Sequence, residues 1–289
     1  MKCLLTPTGK RRSARHLPLS PYFVLIMFAW AVSVGFAQTT DSAGRKRSKY
    51  EVIEVKDGGT ITGQVRFVGN PPKAAVIQIT KDPQACGAKQ VSEAFIVSPE
   101  SNGLKNVVIR LVNVKAGKKM EYVANDRQTI TPESTVTLAQ KGCVFVPHAQ
   151  IAFEGCKLNI VNDDTVLHNV HSYSSSKRRG NLRWAPSDTL FNYAQPPSNK
   201  PLVVPLKTGI MGIRCDVHEW MRGYIFVTDH PYVAITDEGG KYAISDVPPG
   251  KYRLEAWHEQ LGRMKRKGSV EVAATQTVTV DFPIAPIEE

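Results

Sequence analysis

Beyond residue 50 the chain runs as short stretches of alternating or β-branched residues separated by Gly, Pro, Asn and Asp, with almost nothing at helical period. Such a pattern gives no helix an apolar face to bury, and it predicts an all-β protein. Candidate strands fall at 60–67, 75–80, 106–114, 134–138, 150–153, 157–162, 202–205, 212–215 and 223–228, then at 233–236, 241–244, 252–257, 268–272 and 275–282. Strands so closely spaced, with turn signals between them, suggest sandwiches or barrels. Two stretches break the rhythm. Residues 115–133 are polar and suit a domain boundary. Residues 172–200 are rich in Ser, Asn and Pro, carry Lys177, Arg178 and Arg179, and read as a long loop of the kind that usually carries function.

The amino terminus constrains the rest differently. Lys2, Lys10, Arg11, Arg12 and Arg15 precede an apolar run from Phe23 to Phe36, and Gly35 and Ala37 stand three and one residues before a cut ahead of Gln38. This is the pattern of a secretory signal peptide, too short to span a bilayer as an anchor. The expectation is an exported protein, periplasmic or secreted, without a transmembrane span once residues 1–37 are removed. The full chain has 37 Lys+Arg against 26 Asp+Glu; removing the leader leaves 32 against 26, and Arg45, Lys46, Arg47 and Lys49 hold four of those. The remainder is nearly neutral, so the basic balance does not argue for nucleic acid.

Cys3 leaves with the leader, and Cys86, Cys143, Cys156 and Cys215 remain in a compartment where thiols oxidise. Cys215-Asp-Val-His218-Glu-Trp-Met221 then presents a thiolate, an imidazole and a thioether at three-residue intervals between two apolar strands. A thiolate, two imidazoles and a weak axial thioether form the blue-copper donor set, which calls for a second histidine from another strand. His168, in His168-Asn169-Val170-His171, lies 47 residues upstream of Cys215. On an extended segment the three-residue spacing of His168 and His171 sends them to opposite faces, so one of them alone can face a metal.

HNVH followed by CDVHEWMRG resembles the cupredoxins, above all the amicyanin-like type with its short Cys-x2-His-x2-Met loop, over about residues 134–228. The resemblance implies a Greek-key β-sandwich, one mononuclear type 1 copper, and His168, Cys215, His218 and Met221 as its ligands. It implies that Asn169 fastens the two ligand loops near the Cys215 sulfur. It also implies that His218 reaches the surface within an apolar patch, with Val217 and Trp220 as members, and that the work is one-electron transfer to a redox partner protein. The charged Arg214 and Asp216 beside Cys215 depart from the family pattern, so the reduction potential does not carry over. Lys177, Arg178 and Arg179 suit a surface that steers an acidic partner.

YVAITDEGGKYAISDVPPGKYRLEAWHE, from Tyr232 onward, resembles the carboxypeptidase regulatory-like (transthyretin-like) β-sandwich family, and Gly59-Thr-Ile-Thr-Gly-Gln-Val65 is a fainter echo of it. Such modules are commonly non-catalytic. The expected order is a signal peptide (1–37), a basic linker (38–57), an N-terminal β domain (58–132), a cupredoxin domain (133–229) and a carboxypeptidase regulatory-like sandwich (230–289).

With Cys215 set aside as a metal thiolate, an odd number of cysteines is left. Cys86 with Cys143 is the preferred disulfide, tying the N-terminal segment to the cupredoxin; Cys143 with Cys156 is the rival, and spacing does not decide between them. His148 reads as a strand-end histidine, and a second metal site at His230 and His258 needs a bulge, because His258 and Glu255 point apart on a regular strand. Of the seven histidines, six remain once the leader with His16 is removed, and without a His-x-His pair they disfavour a multicopper enzyme. The reading is therefore a non-enzymatic electron carrier, with a periplasmic copper-delivery or scaffold protein as the alternative.

Overall fold

The computed structural model describes residues 49–175, 186–266 and 268–285. The expected signal peptide, most of the basic linker and the cationic trio Lys177, Arg178 and Arg179 lie outside the described residues. The regular elements of the described chain are strands, apart from one helical turn at Pro83–Cys86. No helix among the described residues is long and apolar enough to cross a membrane.

One sandwich is built from residues 135–228. Its first sheet orders Phe145–Val146, Thr135–Gln140, Lys157–Asn162 and Ser198–Pro205. Its second orders Ala149–Phe153, Arg222–Thr228, Gly209–Arg214, His168–Ser175 and Pro186–Gln195. Alternation explains the faces: Val136, Leu138, Leu158 and Ile160 point inward and are buried, while their sequence neighbours are exposed or partly so. Arg222–Thr228 is buried on both faces because Ile225 and Val227 enter this core while Tyr224 and Phe226 enter an apolar seam on the other side. Burying an aliphatic side chain of this size is worth about 1.5–3 kcal/mol.

The stretch 172–200 is not a single long loop. Pro186–Gln195 forms an edge strand antiparallel to His168–Ser175, and Ser198–Pro205 pairs with Lys157–Asn162. An edge strand with one free flank tolerates the polar residues that made this segment read as loop.

The division into separate N-terminal and C-terminal β domains is also corrected. Gly59–Phe67 lies between Lys241–Val247 and Thr277–Thr279, and Val108–Val112 lies between Val233–Ile235 and Gly250–His258. Ile61, Val65, Ile109 and Leu111 share one core with Tyr232, Ile244, Leu254 and Val280. The two ends of the described chain thus build a single second sandwich. Strand alternation reports which face is buried but not which strand lies alongside, and these partners stand more than a hundred residues apart.

The sandwiches meet through Val108, Ile151, Ile210, Tyr224, Phe226, Val233, Ile235 and Trp257. Between them and the first sandwich's rim runs a small hairpin, Val76–Gln78 with Lys89–Val91, whose tip carries the helical turn. It is stapled to the first sandwich by Cys86–Cys143, with Cα atoms 5.2 Å apart.

Candidate metal centre

At one end of the first sandwich the strand Gly209–Arg214 runs out at Cys215, and the chain folds back at Met221 into Arg222–Thr228. Two backbone bonds close this loop: Cys215 N–H donates to Met221 O at 3.2 Å and Met221 N–H to His218 O at 2.9 Å. The turn brings the side chains at 215, 218 and 221 inward, and all three residues are essentially buried. His168 opens the neighbouring strand and is fully buried beside them.

His168, Cys215 and His218 form a group of donor atoms within 4.8 Å of one another. The two Nδ1 atoms are 2.9 Å apart, and the Cys215 sulfur is 3.9 Å from His218 Nδ1. The sulfur accepts backbone N–H groups from Asn169 at 3.4 Å and His218 at 3.3 Å, the environment a buried thiolate requires. Cys143, Asp164 and His168 also lie close, but Cys143 is half of the disulfide and has no thiolate to offer.

Each imidazole turns its outer nitrogen to a carboxylate. His168 Nε2 donates to Asp164 at 2.9 Å, and His218 Nε2 donates to Asp82 at 2.9 Å. With both Nε2 atoms carrying the proton, the two Nδ1 lone pairs face each other across the gap. Two acceptors at that distance repel unless a proton or a metal cation stands between them, and a carboxylate on the far nitrogen raises ligand basicity. Burial, with the neighbouring His218 charge, pulls the His168 pKa below its ordinary value against the opposing pull of Asp164, which favours the neutral ring a metal needs. Two imidazoles and a thiolate, with Met221 buried on the same loop, fit copper better than zinc.

Asn169 ties the two ligand loops together. Its Oδ1 accepts Asp216 N–H at 2.5 Å, and its Nδ2 donates to Asp216 at 3.0 Å and to Asn192 at 2.8 Å. Asp216 also receives Arg214 Nε at 2.8 Å and pairs with His171 at 2.7 Å. Burial alone would raise the Asp216 pKa; the bonds from His171 and Asn169 hold it below the usual carboxylate range. His171 thus stands on the opposite side from His168 and serves this outer network.

Three expectations change. His218 does not reach the surface: it is 0% exposed, because the hairpin tip bearing Asp82 covers its ring edge. Val217 and Trp220 are half-buried against the same core, with Trp220 Nε1–H donating to Cys143 O at 3.0 Å and its ring tilted over His218 at 5.1 Å. His148 is buried and paired with Glu259 rather than standing at an exposed strand end. Cys156, the thiol left over by the Cys86–Cys143 pair, is buried and donates to Thr131 O at 3.0 Å, which is no change from expectation. Neither His148, His230 nor His258 belongs to a close three-donor group among the described residues. Asp82 and Asp164 escaped sequence reasoning. Asp164, four residues ahead of His168 on a tight turn, had a local signal, whereas Asp82 lies 136 residues before His218 and had none.

A family model described as polysaccharide lyase family 4, domain II, matches residues 198–280, less than half of the chain and running from one sandwich into the other. It gives no support to a transthyretin-like assignment. No curated protein matches the chain. Among solved structures, a copper-containing nitrite reductase from Thermus scotoductus SA-01 is 19% identical over 32% of this chain and 22% of its own, with a TM-score of 0.23. The chain therefore spans about a fifth of that enzyme. A purple cupredoxin from Nitrosopumilus maritimus is 19% identical over 32% of this chain and 99% of its own, at TM-score 0.25. A reduced amicyanin variant is 15% identical over 42% of this chain and 98% of its own, at 0.26. Scores this low carry no argument about ligand or activity, which rest on the geometry above.

Proposed function

We infer that the first sandwich is a type 1 copper domain that carries single electrons, with His168, Cys215, His218 and Met221 as its ligands. The observation that carries this reading is the convergence of two Nδ1 lone pairs on a buried cysteine sulfur, with both outer ring nitrogens already satisfied by carboxylates. Copper, when bound, supplies one-electron chemistry between its +1 and +2 states. The four side chains leave no place for a substrate, so the protein works without catalysis of its own. Asn169, Asp164 and Asp82 hold the ligands in a fixed arrangement, and the buried surroundings exclude water, which lowers the reorganisation accompanying each electron.

The second sandwich, read as a non-catalytic module of the carboxypeptidase regulatory-like kind, positions the copper domain through the apolar seam. The leader and the disulfide both fit an exported protein in an oxidising compartment, periplasmic or secreted. A redox partner protein exchanges electrons with it.

Copper delivery or a scaffold role is the second reading, favoured by the broad apolar seam that joins the sandwiches into one compact unit suited to a larger assembly. Stopped-flow reduction of the copper-loaded protein by a small donor separates the two. A carrier retains its copper and is reoxidised with full return of colour over repeated cycles; loss of copper to a Cu(I) chelator on first reduction would contradict electron carriage and favour delivery.

A further inference from the structure

We propose that Asp82 is a positioning residue of the copper site: it fixes the His218 ring through Nε2, closes the ring edge to solvent, and adds a negative charge behind that ring. The inference rests on the copper reading and deepens it.

Asp82 stands where a helix N-cap belongs, immediately before Pro83 and the turn Pro83–Cys86. An aspartate there ordinarily turns its carboxylate back onto the free N–H groups of the first turn. Asp82 makes no such bond. Its backbone carbonyl accepts Ala85 N–H at 3.0 Å and Cys86 N–H at 2.9 Å, as an N-cap carbonyl does, while its carboxylate reaches His218 Nε2 at 2.9 Å. The backbone at Asp82 has φ 51° and ψ 44°, a left-handed conformation that costs an L-residue about 1–2 kcal/mol. The local structure gains nothing from that carboxylate; the ring of His218 does.

The consequence for His218 has two parts. A carboxylate acceptor holds the proton on Nε2, so the lone pair is kept on Nδ1, the atom that faces His168 and Cys215. A negative charge one imidazole away from the metal favours the more highly charged Cu(II) state and lowers the potential. The hairpin that presents Asp82 is held by Cys86–Cys143, and Trp220, two residues after His218, is pinned to the same cystine through Nε1–H to Cys143 O. Asp82 is 39% exposed while the ring behind it is fully buried, so the carboxylate forms the outer surface at this point.

Three full-length variants test the proposal: Asp82→Ala removes bond and charge, Asp82→Asn keeps an acceptor without charge, and Asp82→Glu restores both. In the metal-free protein, ring-nitrogen NMR should show His218 as the Nε2–H tautomer with a slowly exchanging proton, and Asp82→Ala should lose that protection. In the copper-loaded protein at fixed pH, Asp82→Asn should shift the Cu(II)/Cu(I) binding ratio at least threefold toward Cu(I). That is a rise of about 28 mV, at 59 mV per tenfold for one electron. Asp82→Glu should return most of the shift. An Nδ1–H tautomer in the parent protein, or a coloured parent whose Asn and Ala variants keep its potential, overturns this proposal alone. A colourless parent overturns the copper reading and takes this proposal with it. Should Asp82→Ala fail to fold, the potential of Asp82→Asn decides.

Discussion

The Nδ1 atoms of His168 and His218 face each other at 2.9 Å, and each ring is anchored from behind by an aspartate. The chain therefore aims two buried imidazoles, each backed by a carboxylate, at one another beside the Cys215 sulfur. In a folded β-sandwich that arrangement stands at odds with stability alone, since two buried acceptors aimed at each other are costly. A cation held between them and the Cys215 sulfur, as the copper reading proposes, would offset that cost.

Asn169 joins the two loops that carry those ligands, through its bonds to Asp216 and Asn192. Asn169→Ala keeps the backbone N–H that faces the sulfur but frees the loops. Copper affinity should fall by about 10- to 100-fold, the usual cost of losing such support. Competition against a chelator of known affinity measures this, and an unchanged affinity would show that the loops need no fastening.

The Cys86–Cys143 bond closes a segment of 57 residues' separation. By the chain-entropy relation a loop of that size is worth about 4 kcal/mol. The double variant Cys86→Ala/Cys143→Ala should melt on the order of 10 °C lower in calorimetry, given the sensitivity of a domain this large. A melting temperature within a degree or two of the parent would remove the hairpin's staple from the account.

Acid should destabilise the metal-free protein through two histidines of the second sandwich. Burial drags His258 to about 3, helped by the charge of His148, and burial drags His230 to about 4. Both stay neutral when folded, so below pH 6.5 the unfolded chain takes up protons first and stability falls by up to about 1.4 kcal/mol per pH unit for each ring. His148 runs oppositely. Burial alone would lower its pKa, but the bond and charge of Glu259 and the charge of Glu93 raise it above its ordinary value. Its contribution is complete below pH 6.5 and is lost as pH rises through the folded value. Urea midpoints at pH 7.5, 6 and 4.5 should show a shallower acid decline for His258→Gln than for the parent; parallel declines would contradict the assignment.

The joining of the two chain ends has its own test at Gly63, where a Cβ would lie 1.9 Å from the Val280 carbonyl oxygen. Gly63→Ala must push apart strands from opposite ends of the chain and should cost at least about 2 kcal/mol in chemical denaturation. Neutrality would mean that Gly59–Phe67 does not pack there.

Much of the metal centre was legible because its chemistry is local. Cys215, His218 and Met221 lie on one seven-residue turn, and the odd spacing of His168 and His171 already separated them onto two sides. The all-β character was equally plain in the alternation of strands such as Thr135–Gln140. What sequence did not show is what long-range folding decides. Nothing near Pro83 announces that Asp82 will reach His218, so His218 reads as a surface ligand when it is buried. Ile61 and Ile244 each announce a buried strand face but not that they pair with one another. The polar run 186–195 reads as loop because an edge strand needs little apolar character.

Visible absorption on titration of the metal-free protein with Cu(II) reads copper ligation by Cys215 directly, because the intense band of a type 1 site arises from the bond between the cysteine sulfur and copper. A type 1 site should give an intense band toward the red end of the spectrum that saturates at one equivalent and is abolished in Cys215→Ser. A protein that stays colourless at one equivalent, or a Cys215→Ser variant that keeps the band, would contradict a type 1 site.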